Sequence, residues 1–126
     1  MSYAFDNGKE LLELCENENI TIAEVMIRRE MERSEDSREK IVNEMYLNLK
    51  VMEKSIRTGL EENQQTMTGL AGNNAEKLYA YAEKANMGQD MARICAAAMA
   101  VTEVNASMGE IVATPTAGAS GVLPAV

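Results

Sequence analysis

Ile41, Met45, Leu49, Met52, Ile56 and Leu60 follow one another at steps of four, four, three, four and four. That spacing places six apolar side chains on one face of a single long helix, read here over roughly residues 37–58. Val42, Leu47 and Val51 fall beside the stripe and widen the apolar face. A helix of this kind needs other apolar surfaces to cover it, so the stripe predicts a core helix in a helical fold. No stretch alternates apolar and polar residues as a half-buried strand would, and no internal repeat is evident.

The remaining helices are read from their punctuation. Asn7 with Glu10 three positions on, followed by "LLELC", predicts a short helix over about 8–16, broken by "NEN" at 17–19. Thr21 and Glu24 match a capping box, in which the hydroxyl takes one orphan N–H and the carboxylate reaches back to another. The helix that follows carries Val25, Met26 and Met31 and should stop near "RSEDS", where Ser34 or Asp36 can cap the stripe helix. "TGLEENQQTMTGLAGNN" (58–74) reads as a linker, and its "TMTGLAG" portion has the composition of a ligand loop. Asn74 can cap a short helix with Leu78, Tyr79 and Tyr81, interrupted by "NMGQD" at 86–90. A long helix over about 90–112 follows, and its alanines at 96, 97, 98 and 100 favour helix and let neighbours approach closely. The expectation is an all-α fold of about five helices in a single domain.

Composition narrows the core and the chemistry. The chain has 126 residues, 46% hydrophobic but only 4% aromatic, with ten Met and no Trp. A Met- and Ala-rich centre is expected, because Met fills irregular gaps. The net charge of −8 argues against a phosphate-tracking surface and against anionic membranes, so neither nucleic acid nor membrane is an expected partner. There is no His, which removes Ser–His and Cys–His catalysis from the chain itself. Cys15 and Cys95 are far apart and lack metal-site spacing. With no secretory signal they read as buried free thiols of a reduced, cytoplasmic protein.

The closing stretch, "VATPTAGASGVLPAV" (112–126), carries chemistry of a different sort. Pro115, Gly118, Gly121 and Pro124 recur every three residues, a pattern read as a succession of turns rather than a regular helix. Successive turns can aim several backbone N–H groups into one anion-binding concavity. Thr114, Thr116 and Ser120 add hydroxyls there, and Gly118 allows close approach. Just upstream, Asn105 and Ser107 stand on a helix otherwise made for burial, where a buried Asn needs a partner or a ligand. Thr114, Thr116, Gly118 and Asn105 are the candidate substrate-binding residues. Glu103 and Glu110, two helical turns or about 10 Å apart, read as ordinary charged positions.

Four blocks carry a family resemblance: "ITIAEVMIRREME" (20–32), "NEMYLNLKVMEKSIRTGL" (43–60), "TGLAGNNAEKLYAY" (68–81) and "TEVNASMGEIVATPTAGASGVLPAV" (102–126). In order and spacing the chain resembles the alpha chain of iron–sulfur-dependent L-serine dehydratase, and the last block is the most specific. The resemblance implies a lyase that converts L-serine to pyruvate and ammonia without pyridoxal phosphate. It also implies a [4Fe–4S] cluster whose open iron polarises the substrate hydroxyl, and a beta chain or domain as partner.

Two departures qualify what the resemblance implies. Family alpha chains continue past this motif, and their cluster-ligating cysteines lie largely in that continuation. The chain is thus expected to be the N-terminal part of the catalytic domain. Relatives also tend to carry a cysteine at the position of Val112 or of Ser120, and neither is Cys here. Two thiolates cannot hold a cluster normally fixed by three or four. This chain alone is therefore expected to bind no cluster, to be inactive, and to self-associate through uncovered apolar surface near "GVLPAV". A non-catalytic paralogue or helical interaction module is the alternative from another class. Cluster-dependent cysteine desulfuration differs only in leaving group.

Overall fold

A computed structural model describes residues 2–62, 66, 69 and 72–126. Among the described residues there are six α-helices and no strand: α1 (Gly8–Glu18), α2 (Ile22–Ser34), α3 (Arg38–Glu61), α4 (Asn74–Tyr81), α5 (Gln89–Ala106) and α6 (Ala117–Ala125). A single 3₁₀ turn, Ala82–Lys84, follows α4. The ligand-loop reading of "TMTGLAG" falls largely on residues 67, 68, 70 and 71, outside the described set. The chain divides into two compact units, Met1–Leu47 and Asn48–Val126.

In the first unit the capping residues act much as their types dictate. The Asn7 side chain accepts the N–H groups of Lys9 and Glu10 and starts α1. Asn19, in the left-handed region at φ 52°, ends it by donating to Glu16. The Ile20 N–H returns to Cys15, which completes a Schellman stop and carries the helix two residues past its predicted end. Thr21 accepts the Glu24 N–H at 3.2 Å. Glu24 does not reciprocate as a capping box would, because its carboxylate is taken by Arg28 (2.8 Å) and Arg38 (2.8 Å). These two guanidinium groups hold Glu24 below the usual glutamate range, Arg28 having the larger effect. Arg28 also donates to the Tyr3 hydroxyl at 2.7 Å, which ties the N-terminal segment to α2. Ser37 caps α3, accepting the Lys40 N–H at 3.3 Å. Ser34 instead donates to the Glu30 carbonyl and accepts the Asp36 N–H.

The second unit is built on α5. Ala92, Ala96 and Ala100 are fully buried at four-residue spacing, with Val101 and Val104 beside them. Small side chains permit backbone contact, and two glycines exploit it. A Cβ on Gly59 would sit 2.6 Å from the Ala100 carbonyl carbon, and one on Gly121 would sit 2.6 Å from the Ala98 oxygen. Alanine and valine supply the fully buried positions, whereas Met26, Met45, Met87, Met91 and Met108 are exposed.

The stripe on α3 is only partly a core face. Ile41 is buried and Met52, Ile56 and Leu60 are half-buried, but Met45 and Leu49 are 64% and 49% exposed. Besides Ile41, α3 buries Ser55 and Gly59, because the closest contact goes to the smallest side chains. Gly59 also explains why the helix runs on to Glu61 instead of ending near 58.

Helix α5 ends at Ala106, six residues short of the predicted stop. The Met108 N–H donates to Asn105 and the Gly109 N–H to Val104, a Schellman arrangement with Met108 at φ 64°. The terminal segment departs from a succession of turns, since residues 117–125 form α6. Glycines cost a helix about 1 kcal/mol each, and Pro124 sits in the last turn, where it removes a single hydrogen bond. Docking on α5 through the buried Ser120 and Gly121 overrides these propensities.

Candidate functional site

Residues 109–116 cross from α5 to α6 without regular structure, and Thr116 turns the chain into α6. In the extended conformation its Oγ1 accepts the Ala119 N–H at 3.2 Å, and its carbonyl accepts the Ser120 N–H at 3.3 Å. Thr114 Oγ1 donates to that same carbonyl at 2.7 Å and braces the turn. The N–H groups of Ala117 and Gly118, in the first turn of α6, are left with no protein acceptor among the described residues. A Cβ on Gly118 would meet nothing within 4 Å, so these donors are approachable. A helix N-terminus with free N–H groups favours an anion, and the Thr116 hydroxyl proton remains free to join them.

The sequence-predicted residues divide accordingly. Thr116 and Gly118 stand together at the N-terminus of α6. Thr114 is adjacent, but its proton is already committed, so it shapes the turn and retains only acceptor capacity. Ser120 is buried and donates to the Ala117 carbonyl at 2.6 Å, which removes it from the open side. Asn105 is exposed on the last turn of α5 rather than buried, and no hydrogen bond of Thr114 or Thr116 reaches it. Ser107 Oγ, two residues further on, is buried without a hydrogen-bond partner among the described residues.

Glu103 departs most from its reading as an ordinary charged position. Only 8% exposed, it accepts the backbone N–H of Asn74 at 2.9 Å and of Ala75 at 3.5 Å. Asn74 is thus the first residue of α4 rather than its cap. Asn73, at the N-cap position with φ 60°, makes no side-chain cap bond, and the α5 carboxylate closes the helix from outside. One signal was legible: Glu103 is the sole charge between Arg93 and Glu110. Which N–H groups it meets depends on tertiary packing. Glu110, by contrast, is exposed and pairs with Lys54 at 3.1 Å.

Cys15 on α1 and Cys95 on α5 are free thiols, both partly exposed. Among the described residues no three His, Cys, Asp or Glu side chains group as metal ligands. This donor set does not fit a cluster that needs three or four thiolates. No helix of the described residues is long and apolar enough to cross a membrane.

The similarity to known proteins spans this whole architecture. The chain is 45% identical over 122 residues to a probable L-serine dehydratase alpha chain of Bacillus subtilis, covering 95% of this chain and 40% of that protein. It is 32% identical over 123 residues to an L-serine dehydratase alpha chain of Peptoniphilus asaccharolyticus, covering 96% and 42%. It is also 32% identical over 132 residues to an L-serine dehydratase of Streptomyces coelicolor, of which 28% is covered. The chain thus spans about 40% of the length of the first two relatives. No solved structure matches it. The serine dehydratase alpha chain model matches residues 17–126, and the chain belongs to that family.

Proposed function

We propose that this chain forms part of an L-serine dehydratase alpha subunit, and that the N-terminus of α6 receives the substrate carboxylate. The observation that carries the reading is the open first turn of α6. There the Ala117 and Gly118 N–H groups and the Thr116 hydroxyl can point at one anion inside the family-matched region. The reaction is elimination of water from L-serine, followed by release of pyruvate and ammonia. The chain's own contribution is to bind and orient the carboxylate. The [4Fe–4S] group that the resemblance implies would draw its ligands from outside these residues, and the chain alone does not turn over. A beta chain completes the enzyme, and two free thiols suit a reducing, cytoplasmic setting. Exposed Val122, Leu123 and Val126 favour self-association of the chain on its own.

The test is titration of isotopically labelled protein with L-serine and with 3-hydroxypropionate, which shares its carboxylate. Both should shift the amide signals of Ala117, Gly118 and Ala119, and Thr116→Ala should weaken the response. Amides that stay in place at saturating ligand would refute carboxylate binding at this turn. A non-catalytic helical module is the reading that the two-thiol donor set favours in its place.

A further inference from the structure

Every residue from position 42 to position 50 of α3 is exposed, and the apolar ones among them are not scattered. Val42, Met45, Tyr46 and Leu49 fall at i, i+3, i+4 and i+7, which places them on one face of the helix. They are between 45% and 64% exposed. Leu47, exposed to a similar degree, lies on the other side of the helix. One charge bounds the stripe at each end. Arg38 stands four residues before Val42, and Glu53 stands four residues after Leu49. Each is about half exposed and already has a partner, Arg38 meeting Glu24 at 2.8 Å and Glu53 meeting Lys50 at 2.9 Å. A guanidinium carries five N–H donors and a carboxylate about four acceptor directions, so both retain capacity for a second partner.

From Arg38 through Val42, Met45, Tyr46 and Leu49 to Glu53 the steps are four, three, one, three and four, the same in either direction. An antiparallel copy of α3 therefore presents the same stripe in register. Val42 comes level with the partner's Leu49, Met45 with the partner's Tyr46, and Arg38 with the partner's Glu53 at both ends. A parallel copy would set Arg38 against the partner's Arg38 and Glu53 against the partner's Glu53, which like charges oppose. We infer that the face of α3 carrying Val42, Met45, Tyr46 and Leu49 is where two copies of this chain pair, antiparallel about a two-fold axis. Pairing takes four large apolar side chains per copy out of water. One helix pair buries less area than a standard interface, so the dimer is weak and reversible. The inference stands apart from the dehydratase reading.

Sedimentation velocity of the full chain over a concentration series tests it, each variant being checked for a native helical circular-dichroism spectrum. The native chain should pass from monomer to dimer as concentration rises. Met45→Lys sets two like charges near the two-fold axis and should weaken dimerisation at least about tenfold. Leu47→Lys puts the same charge on the other side of the helix and should dimerise as the native chain does. Glu53→Arg should weaken the dimer, and adding Arg38→Glu to it should restore it, because the exchange recreates both end pairs. A native chain that stays monomeric at high concentration overturns the inference and leaves the face to a different polypeptide. Dimers that survive Met45→Lys but are lost in Leu123→Lys overturn it as well, and place self-association on α6. A double variant that dimerises no better than Glu53→Arg alone overturns the antiparallel register.

Discussion

Gly59 on α3 meets the backbone of Ala100 on α5 with no space between them for a methyl group: an added Cβ would lie 2.7 Å from the Ala100 Cα. Gly59→Ala should therefore destabilise the protein by about 1–3 kcal/mol, because α3 must move off α5. The change occurs despite a gain in helix propensity of up to about 1 kcal/mol. Gly118→Ala, with open space around it, should be neutral or slightly stabilising. Chemical denaturation of the two variants checks the contrast, and equal midpoints would mean that α3 and α5 are not in backbone contact.

Met108 offers the opposite case. It holds φ 64° at the end of α5 while its side chain is 88% exposed. Met108→Gly removes the left-handed penalty and gives up almost no packing, so it should stabilise by about 1 kcal/mol. Thermal unfolding reads this directly, and a lowered midpoint would show that Met108 makes a contact worth more than its backbone strain.

Leu49 and Val101 separate apolar pattern from burial. Leu49→Ala should cost about 1 kcal/mol or less, below the usual range for a buried leucine, since half of the side chain is already in water. Val101, fully buried on α5, should lose about 2 kcal/mol on replacement by Ala. A larger loss at Leu49 than at Val101 would place the core on α3.

The Glu24 pair predicts an acid-labile first unit. Arg28 and Arg38 hold the Glu24 carboxyl below its unfolded value of about 4.3. Its contribution is therefore present in full above that value and is lost as pH falls below it toward the depressed folded pKa. Glu24→Gln should flatten the stability profile in that acid window and leave the profile's shape at neutral pH unchanged. Denaturation midpoints across pH 2–6 (about that range) check it, and an unchanged acid slope would remove the pair from the account.

Anaerobic treatment of the chain with iron and sulfide should yield neither a stoichiometric cluster absorption band nor pyruvate from L-serine, given two cysteines and no histidine. A cluster with turnover would mean that a second copy or another donor type completes the ligand set.

What the residues by themselves determined is local. The helical class, the Asn7 and Thr21 caps, and the placement of α1 and α2 followed from side chains that bond within a few positions of their own backbone. The gathering of Thr114 and Thr116 at one turn was legible for the same reason, since both side chains bond within a few positions of their own backbone. Tertiary structure decided the rest. It chose Ser55 and Gly59 over Leu49 as the buried face of α3, because alanines on α5 reward the closest approach rather than the largest side chain. It made a helix of residues 117–125, where local propensity favoured turns, because Gly121 can lie directly on Ala98. It also turned Glu103 from a surface charge into the buried cap of α4. No spacing rule links positions 74 and 103, and a hydrogen bond across 29 residues exists only once the helices have packed.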